Sequence, residues 1–166
     1  MGIIKAYYCL RHPNVRKEDI PRNYNISLWE AVMKTIRKFM SVVIIPIIPF
    51  NNLRVSCYRL IGYKIGRGSF VGMRCYLDDL CYDQIEIGRN VTISYGVYFA
   101  CHGRKQGHNK LIIRDGAYIG MRSSIVARTD IEIGENAVVG AQTLVNKSVP
   151  AHTTAVGIPC RILEKK

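Results

Sequence analysis

The sequence predicts an all-β-dominated fold, a parallel β-helix of six-residue units with a helical segment at its N-terminal end. Three observations carry this reading. An aliphatic residue recurs every six positions in four separate blocks. A small or β-branched residue mostly stands four places after it. An amphipathic helical pattern with its own start signal precedes the first block.

The blocks run in order. Ile65-Gly66, Val71-Gly72 and Leu77-Asp78 form the first. After an insertion the frame returns at Ile87-Gly88, Ile93-Ser94 and Phe99-Ala100. It resumes at Ile113-Arg114, Ile119-Gly120 and Ile125-Val126. Two extra residues precede Ile133-Gly134, Val139-Gly140 and Val145-Asn146. The small positions are Ser69, Cys75, Val91, Val97, Ala117, Ser123, Ala137, Thr143 and Val149. Each aliphatic is expected to point inward. The Gly, Asn or Asp after it would accept the backbone turn at low cost. The small residue also points inward, where a large one would collide. Three units then close a triangular coil, and stacked coils pair as parallel strands about 4.8 Å apart. A six-residue period is wrong for a helix and strict alternation is absent, which excludes a helix bundle and a sandwich.

Residues 1–62 read as a helical cap segment, 63–157 as the β-helix with a projecting loop at 103–110, and 158–166 as a tail. The end coil of such a stack needs a cover, which residues 26–62 can supply. "SLWE", Ser27 to Glu30, is a capping box. Trp29, Val32, Met33, Ile36, Met40 and Val43 follow at helical spacing, with Lys34, Arg37 and Lys38 off the stripe. Pro46 and Pro49 are expected to stop this helix. A second helix, about Leu53 to Ile61, should end at Gly62. The apolar run from Phe39 to Phe50 is shorter than the roughly 18 residues of a spanning helix. Residues 26–50 either pack on the β-helix end or a neighbouring subunit, or lie on a membrane surface.

Composition fits one globular domain. Lys and Arg outnumber Asp and Glu 24 to 12, which predicts an anionic partner without choosing it. No aromatic-and-basic repeat supports nucleic acid. Cys9, Cys57, Cys75, Cys81, Cys101 and Cys160 form no CxxC pair and no zinc-like quartet. They read as reduced thiols of a cytoplasmic protein. Met1 to Arg11 lacks an apolar core of signal-peptide length.

The longest break in the frame is at "FACHGRKQGHNK", Phe99 to Lys110. His102 stands at the end of a coil, and the Gly-rich polar stretch after it should leave the body. A rigid coil presenting a histidine beside a loop suits general-base chemistry, although a lone histidine is more often structural. His108 lies inside the loop. His12 and His152 have no comparable setting.

The repeat resembles the hexapeptide-repeat transferases, over about Tyr63 to Glu164. Residues 111–166, "LIIRDGAYIGMRSSIVARTDIEIGENAVVGAQTLVNKSVPAHTTAVGIPCRILEKK", look like the C-terminal half of galactoside, maltose and polysaccharide O-acetyltransferases. The resemblance implies a left-handed β-helix, acetyl-CoA as donor, a cytoplasmic homotrimer and an acceptor from polysaccharide biosynthesis. It assigns His102, in "ACH", as the base that deprotonates an acceptor hydroxyl, which then attacks the thioester. The Met121 backbone N–H matches the position facing that thioester. "GAQTLVNKSVP" matches the coenzyme segment, with Ala141 at a backbone contact and Asn146 and Lys147 at the phosphate end. Asn146 departs from the usual Thr. In "GIPCR", Arg161 takes the place of the arginine near the 3′-phosphate, and both cations suit phosphate. His108, in "HNKL", loosely matches the "HPKI" of serine acetyltransferases, as a rival base or a contact to acceptor or coenzyme. Asp78 and Asp79 fall on the acceptor side, where they bind substrate, orient His102 or simply turn the chain. The asparagine that family members carry before "LDD" is missing.

Alternatives remain. An N-acetyltransferase acting on a nucleotide sugar is the nearest. A γ-type carbonic anhydrase needs three histidines around a metal, and none stands between residues 13 and 101, so no metal site is expected. A catalytically silent binding module would not retain coenzyme A.

Overall fold

The computed structural model describes residues 3–14, 16, 27–103 and 108–163. Two compact units form, Met1–Phe39 and Met40–Lys166. The first holds α1 (Ile3–Arg11) and α2 (Leu28–Phe39). The capping box closes at α2, where Ser27 N–H donates to Glu30 Oε2 (2.9 Å) and Glu30 N–H to Ser27 Oγ (3.1 Å).

The second unit is a left-handed parallel β-helix. One face stacks β1 (Lys64–Ile65), β3 (Ile85–Ile87), β6 (Leu111–Ile113) and β9 (Ile131–Ile133). The next stacks β2 (Phe70–Val71), β4 (Thr92–Ile93), β7 (Tyr118–Ile119), β10 (Val138–Val139) and β12 (Thr154–Val156). The third stacks β5 (Tyr98–Ala100), β8 (Ser124–Val126) and β11 (Leu144–Val145). Pairs keep the repeat in register: Ile87 opposes Ile113, Ile93 opposes Ile119, and Phe99 opposes Ile125. Every aliphatic of the frame and every small residue four places on is buried. The core is therefore the column of inward positions that the repeat defines.

The turn chemistry differs from the expectation. The left-handed residue is the third after the aliphatic, not the first: Gly68 (φ 74°), Arg74 (55°), Asn90 (53°), Gly96 (68°) and Asn136 (51°). The glycine directly after the aliphatic serves space instead. A Cβ on Gly66 would lie 2.3 Å from the Gly88 carbonyl oxygen of the coil above. Coils stack too closely there for any side chain.

The N-terminal end is closed by α3 (Asn51–Leu60), which packs on β1 and β2. Its Arg54 is only 1% exposed. The guanidinium donates to the Val71 carbonyl (2.6 Å), at the open edge of the first coil, and to the carbonyl of Ile48, just after the 3-10 turn that precedes α3. Gly62 takes φ 109° just after the Ile61 cap, as a helix terminator should. Pro46 does not end a helix in the way expected. Past Phe39 the chain continues through a π-helical turn (Met40–Ile44) and a 3-10 turn (Ile45–Ile47), with Pro46 inside the latter. At the other end β13 (Arg161–Leu163) folds back antiparallel on β12.

Candidate active site

β5 ends where the frame breaks. Phe99 and Cys101 are fully buried, so the alternation of an extended chain turns Ala100 and His102 outward. The His102 side chain is 36% exposed. Its Nδ1 lies 2.5 Å from Oδ2 of Asp78, which is fully buried. The same Oδ2 accepts the Cys101 N–H (2.7 Å), and Oδ1 accepts the Leu80 N–H (3.1 Å). Asp78 thus has two backbone donors and the imidazole around one carboxylate. A buried carboxylate is tolerated only with such partners. The Asp78 contact is made at Nδ1 and does not involve Nε2.

Asp79 points elsewhere and accepts the Tyr76 hydroxyl (2.9 Å). The loop is pinned at its base, where Asn109 N–H donates to the Cys101 carbonyl (2.9 Å) and Asn109 Nδ2 to the Ala127 carbonyl (2.7 Å). His108 is exposed at the loop's returning end, and no hydrogen bond joins it to His102 among the described residues. Positions 104–107 of the loop lie outside the described residues.

Two buried thiols flank Asp78. Burial first, then the neighbouring carboxylate, pushes Cys81 and Cys101 up to about 12. Asp78, Cys81 and His102 offer ligand atoms within 4.8 Å of one another. The trio does not fit a metal set as it stands. Two ligands of one zinc ion sit about 3.3 Å apart at ordinary bond lengths, wider than the 2.5 Å contact here.

The positions expected to hold coenzyme lie at one corner and one end. Met121 and Ala141 occupy the same corner in successive coils, linked by Gln142 N–H to the Met121 carbonyl (2.9 Å). Both are exposed, and their own backbone N–H groups donate to no protein acceptor among the described residues. Asn146 and Lys147 follow β11 and are exposed. The tail runs beside that strand: Leu144 N–H donates to the Gly157 carbonyl (3.0 Å) and Cys160 N–H to that of Leu144 (2.9 Å). Arg161, exposed at the start of β13, therefore reaches the same end of the prism. His152 is exposed in a turn at φ 59°.

The family model described as the hexapeptide repeat of succinyl-transferase matches residues 62–99 and 110–147. The chain carries the hexapeptide repeat of that family model. The two matched stretches stop on either side of the histidine-bearing loop, so the family repeat and the observed coils break together. A serine acetyltransferase of Bacillus pumilus (strain SAFR-032) is 37% identical over 101 residues, 60% of this chain and 44% of its own. The YvoF protein of Bacillus subtilis (strain 168) is 28% identical over 149 residues, 84% of this chain and 86% of its own. The structure of soybean serine acetyltransferase complexed with serine aligns with a TM-score of 0.54 at 30% identity. That alignment covers 68% of this chain and 49% of the soybean chain. This hexapeptide-repeat chain spans about half the length of the serine acetyltransferases it matches.

Proposed function

We propose that this chain is an acetyl-CoA-dependent O-acetyltransferase acting on a hydroxyl of a sugar or polysaccharide precursor, with His102 as general base. The observation that carries the proposal is the His102–Asp78 contact at the foot of the loop. With Nδ1–H donated to the carboxylate, the Nε2 lone pair is the group that can accept a proton. Nε2 takes the proton of the acceptor hydroxyl as its oxygen forms the new C–O bond. Nε2–H then returns that proton to the departing sulfur. A base so placed accelerates transfer by about 10²–10⁴-fold.

Bound acetyl-CoA supplies the thioester acyl group. Its fit to this chain rests on the unused N–H donors of Met121 and Ala141 and the cations at the far end. The Met121 N–H is suited to the carbonyl oxygen as it gains charge, a contribution of about 3 kcal/mol. Ala141 N–H holds the arm, Asn146 and Lys147 the phosphate end, and Arg161 the 3′-phosphate. In this reading Asp79 and His108 are assigned to the acceptor.

The donors and His102 lie at different corners of one prism, whose surface is shallow. We therefore propose a cytoplasmic homotrimer with cyclic closure, in which a neighbour supplies part of each site. Mixing His102→Ala with Ala141→Trp, each inactive alone, should restore activity after subunit exchange. A fully active monomer would contradict the assembly.

Thiol release from acetyl-CoA with a panel of acceptors tests the function. Ester formation on a sugar hydroxyl supports it. An amide on an amino nucleotide sugar would favour the N-acetylating alternative. Ester formation on L-serine is the second reading, favoured by the named relatives. No turnover and no retention on a coenzyme A matrix would leave a silent binding module.

A further inference from the structure

An unexplained surface lies on α2, outside the proposed site. None of its twelve residues is buried. At 100° per residue, Leu28, Trp29, Val32, Met33, Ile36 and Phe39 fall within an arc of about 140°. They are 37–71% exposed. Lys34, Arg37 and Lys38 take the opposite side, with Glu30 the one acid of the helix. A helix this short is marginal alone in water, even with its capping box, so an apolar stripe of this width implies a cover.

Charge selects the cover. Residues 1–39 contain eight Lys or Arg against three Asp or Glu, and the whole chain carries +12. Pairing α2 with a second copy would bring two basic rims together. A surface that is apolar beneath and anionic above suits both faces at once. At about 18 Å and twelve residues, α2 is too short to cross a bilayer, which takes about 20. No described helix is long and apolar enough to do so. It can only lie in the interface, with aromatic residues near each end, Trp29 and Phe39.

We propose that α2 docks this chain onto an anionic phospholipid surface, apolar stripe down and Lys34, Arg37 and Lys38 among the lipid phosphates. The inference is independent of acetyl transfer, and either can fail alone.

Trp29 is the only tryptophan in the chain, so the full-length protein reports on its own helix. Its emission should shift to the blue, and be quenched by chain-brominated lipid, on adding phosphatidylglycerol vesicles at about 0.15 M salt. Phosphatidylcholine vesicles should do neither. The triple variant Lys34→Glu, Arg37→Glu, Lys38→Glu should partition at least roughly a hundredfold less, about fivefold for each cation lost. Should it misfold by circular dichroism, 1 M salt applied to the wild type makes the same test, because screening must weaken binding. Absence of shift and quenching with the anionic vesicles would overturn the proposal. So would equal partition into phosphatidylcholine, or binding untouched by salt or charge reversal. Blue emission already present without lipid would assign the stripe to another cover, a second copy if it varies with protein concentration and the chain itself if it does not.

Discussion

His102 Nδ1 and Asp78 Oδ2 meet at 2.5 Å although 24 residues separate them in the chain. One coil of the helix accounts for the approach. Asp78 follows the last inward aliphatic of the first block, and His102 stands just past its counterpart in the second. The stack therefore delivers a buried carboxylate to the underside of the imidazole.

Asp78→Asn should lower kcat at least tenfold, and up to about 10⁴-fold as for the orienting carboxylate of a serine-protease triad. The KM for acetyl-CoA should stay near wild type, because Asp78 touches His102 and not the coenzyme positions. Steady-state kinetics checks this. An unchanged kcat would mean that Asp78 only turns the chain.

Lys147→Ala and Arg161→Ala should raise the KM for acetyl-CoA more than they lower kcat, since remote phosphate contacts hold ground and transition states alike. With a coenzyme analogue lacking the 3′-phosphate, the Arg161 effect should fade. If neither variant moves KM, these residues are simply solvated cations at the end of the prism.

Gly66→Ala tests the spacing of coils. Its Cβ would meet the Gly88 carbonyl oxygen at 2.3 Å and the Arg89 nitrogen at 2.6 Å, all backbone. A loss of about 1–3 kcal/mol or more is expected by denaturant unfolding. Gly96→Asn should cost far less. Gly96 has φ 68°, and its nearest neighbour is the Arg122 side chain at 3.5 Å. Asparagine already takes that conformation at positions 90 and 136. Equal losses would show that conformation, not space, sets the glycine after the aliphatic.

Much of this architecture was legible because the repeat is one-dimensional. Burial of Ile65, Ile93 or Val139 follows from spacing alone, and the capping box at Ser27 and Glu30 from local chemistry. What escaped depends on contacts between coils or ends. The need for Gly66 arises from the carbonyl of Gly88, 22 positions on. Nothing in the repeat marks Arg54, which is buried and joins the Val71 carbonyl of the first coil to the Ile48 carbonyl before α3. The return of β13 across β12 has no repeat signal to announce it. At the candidate site, His102 was marked by the break in the frame. For Asp78, the sequence left substrate binding, orienting His102 and turning the chain all open, and the contact with His102 itself appears only when the coils are stacked.

Acetyl transfer by single variants at the two loop histidines tests the account most directly. His102→Ala should retain the fold and bind coenzyme A while turnover falls about 10²–10⁴-fold; His108→Ala should cost much less. Wild-type turnover in His102→Ala, with loss in His108→Ala instead, would contradict the assignment and move the base to the other end of the loop.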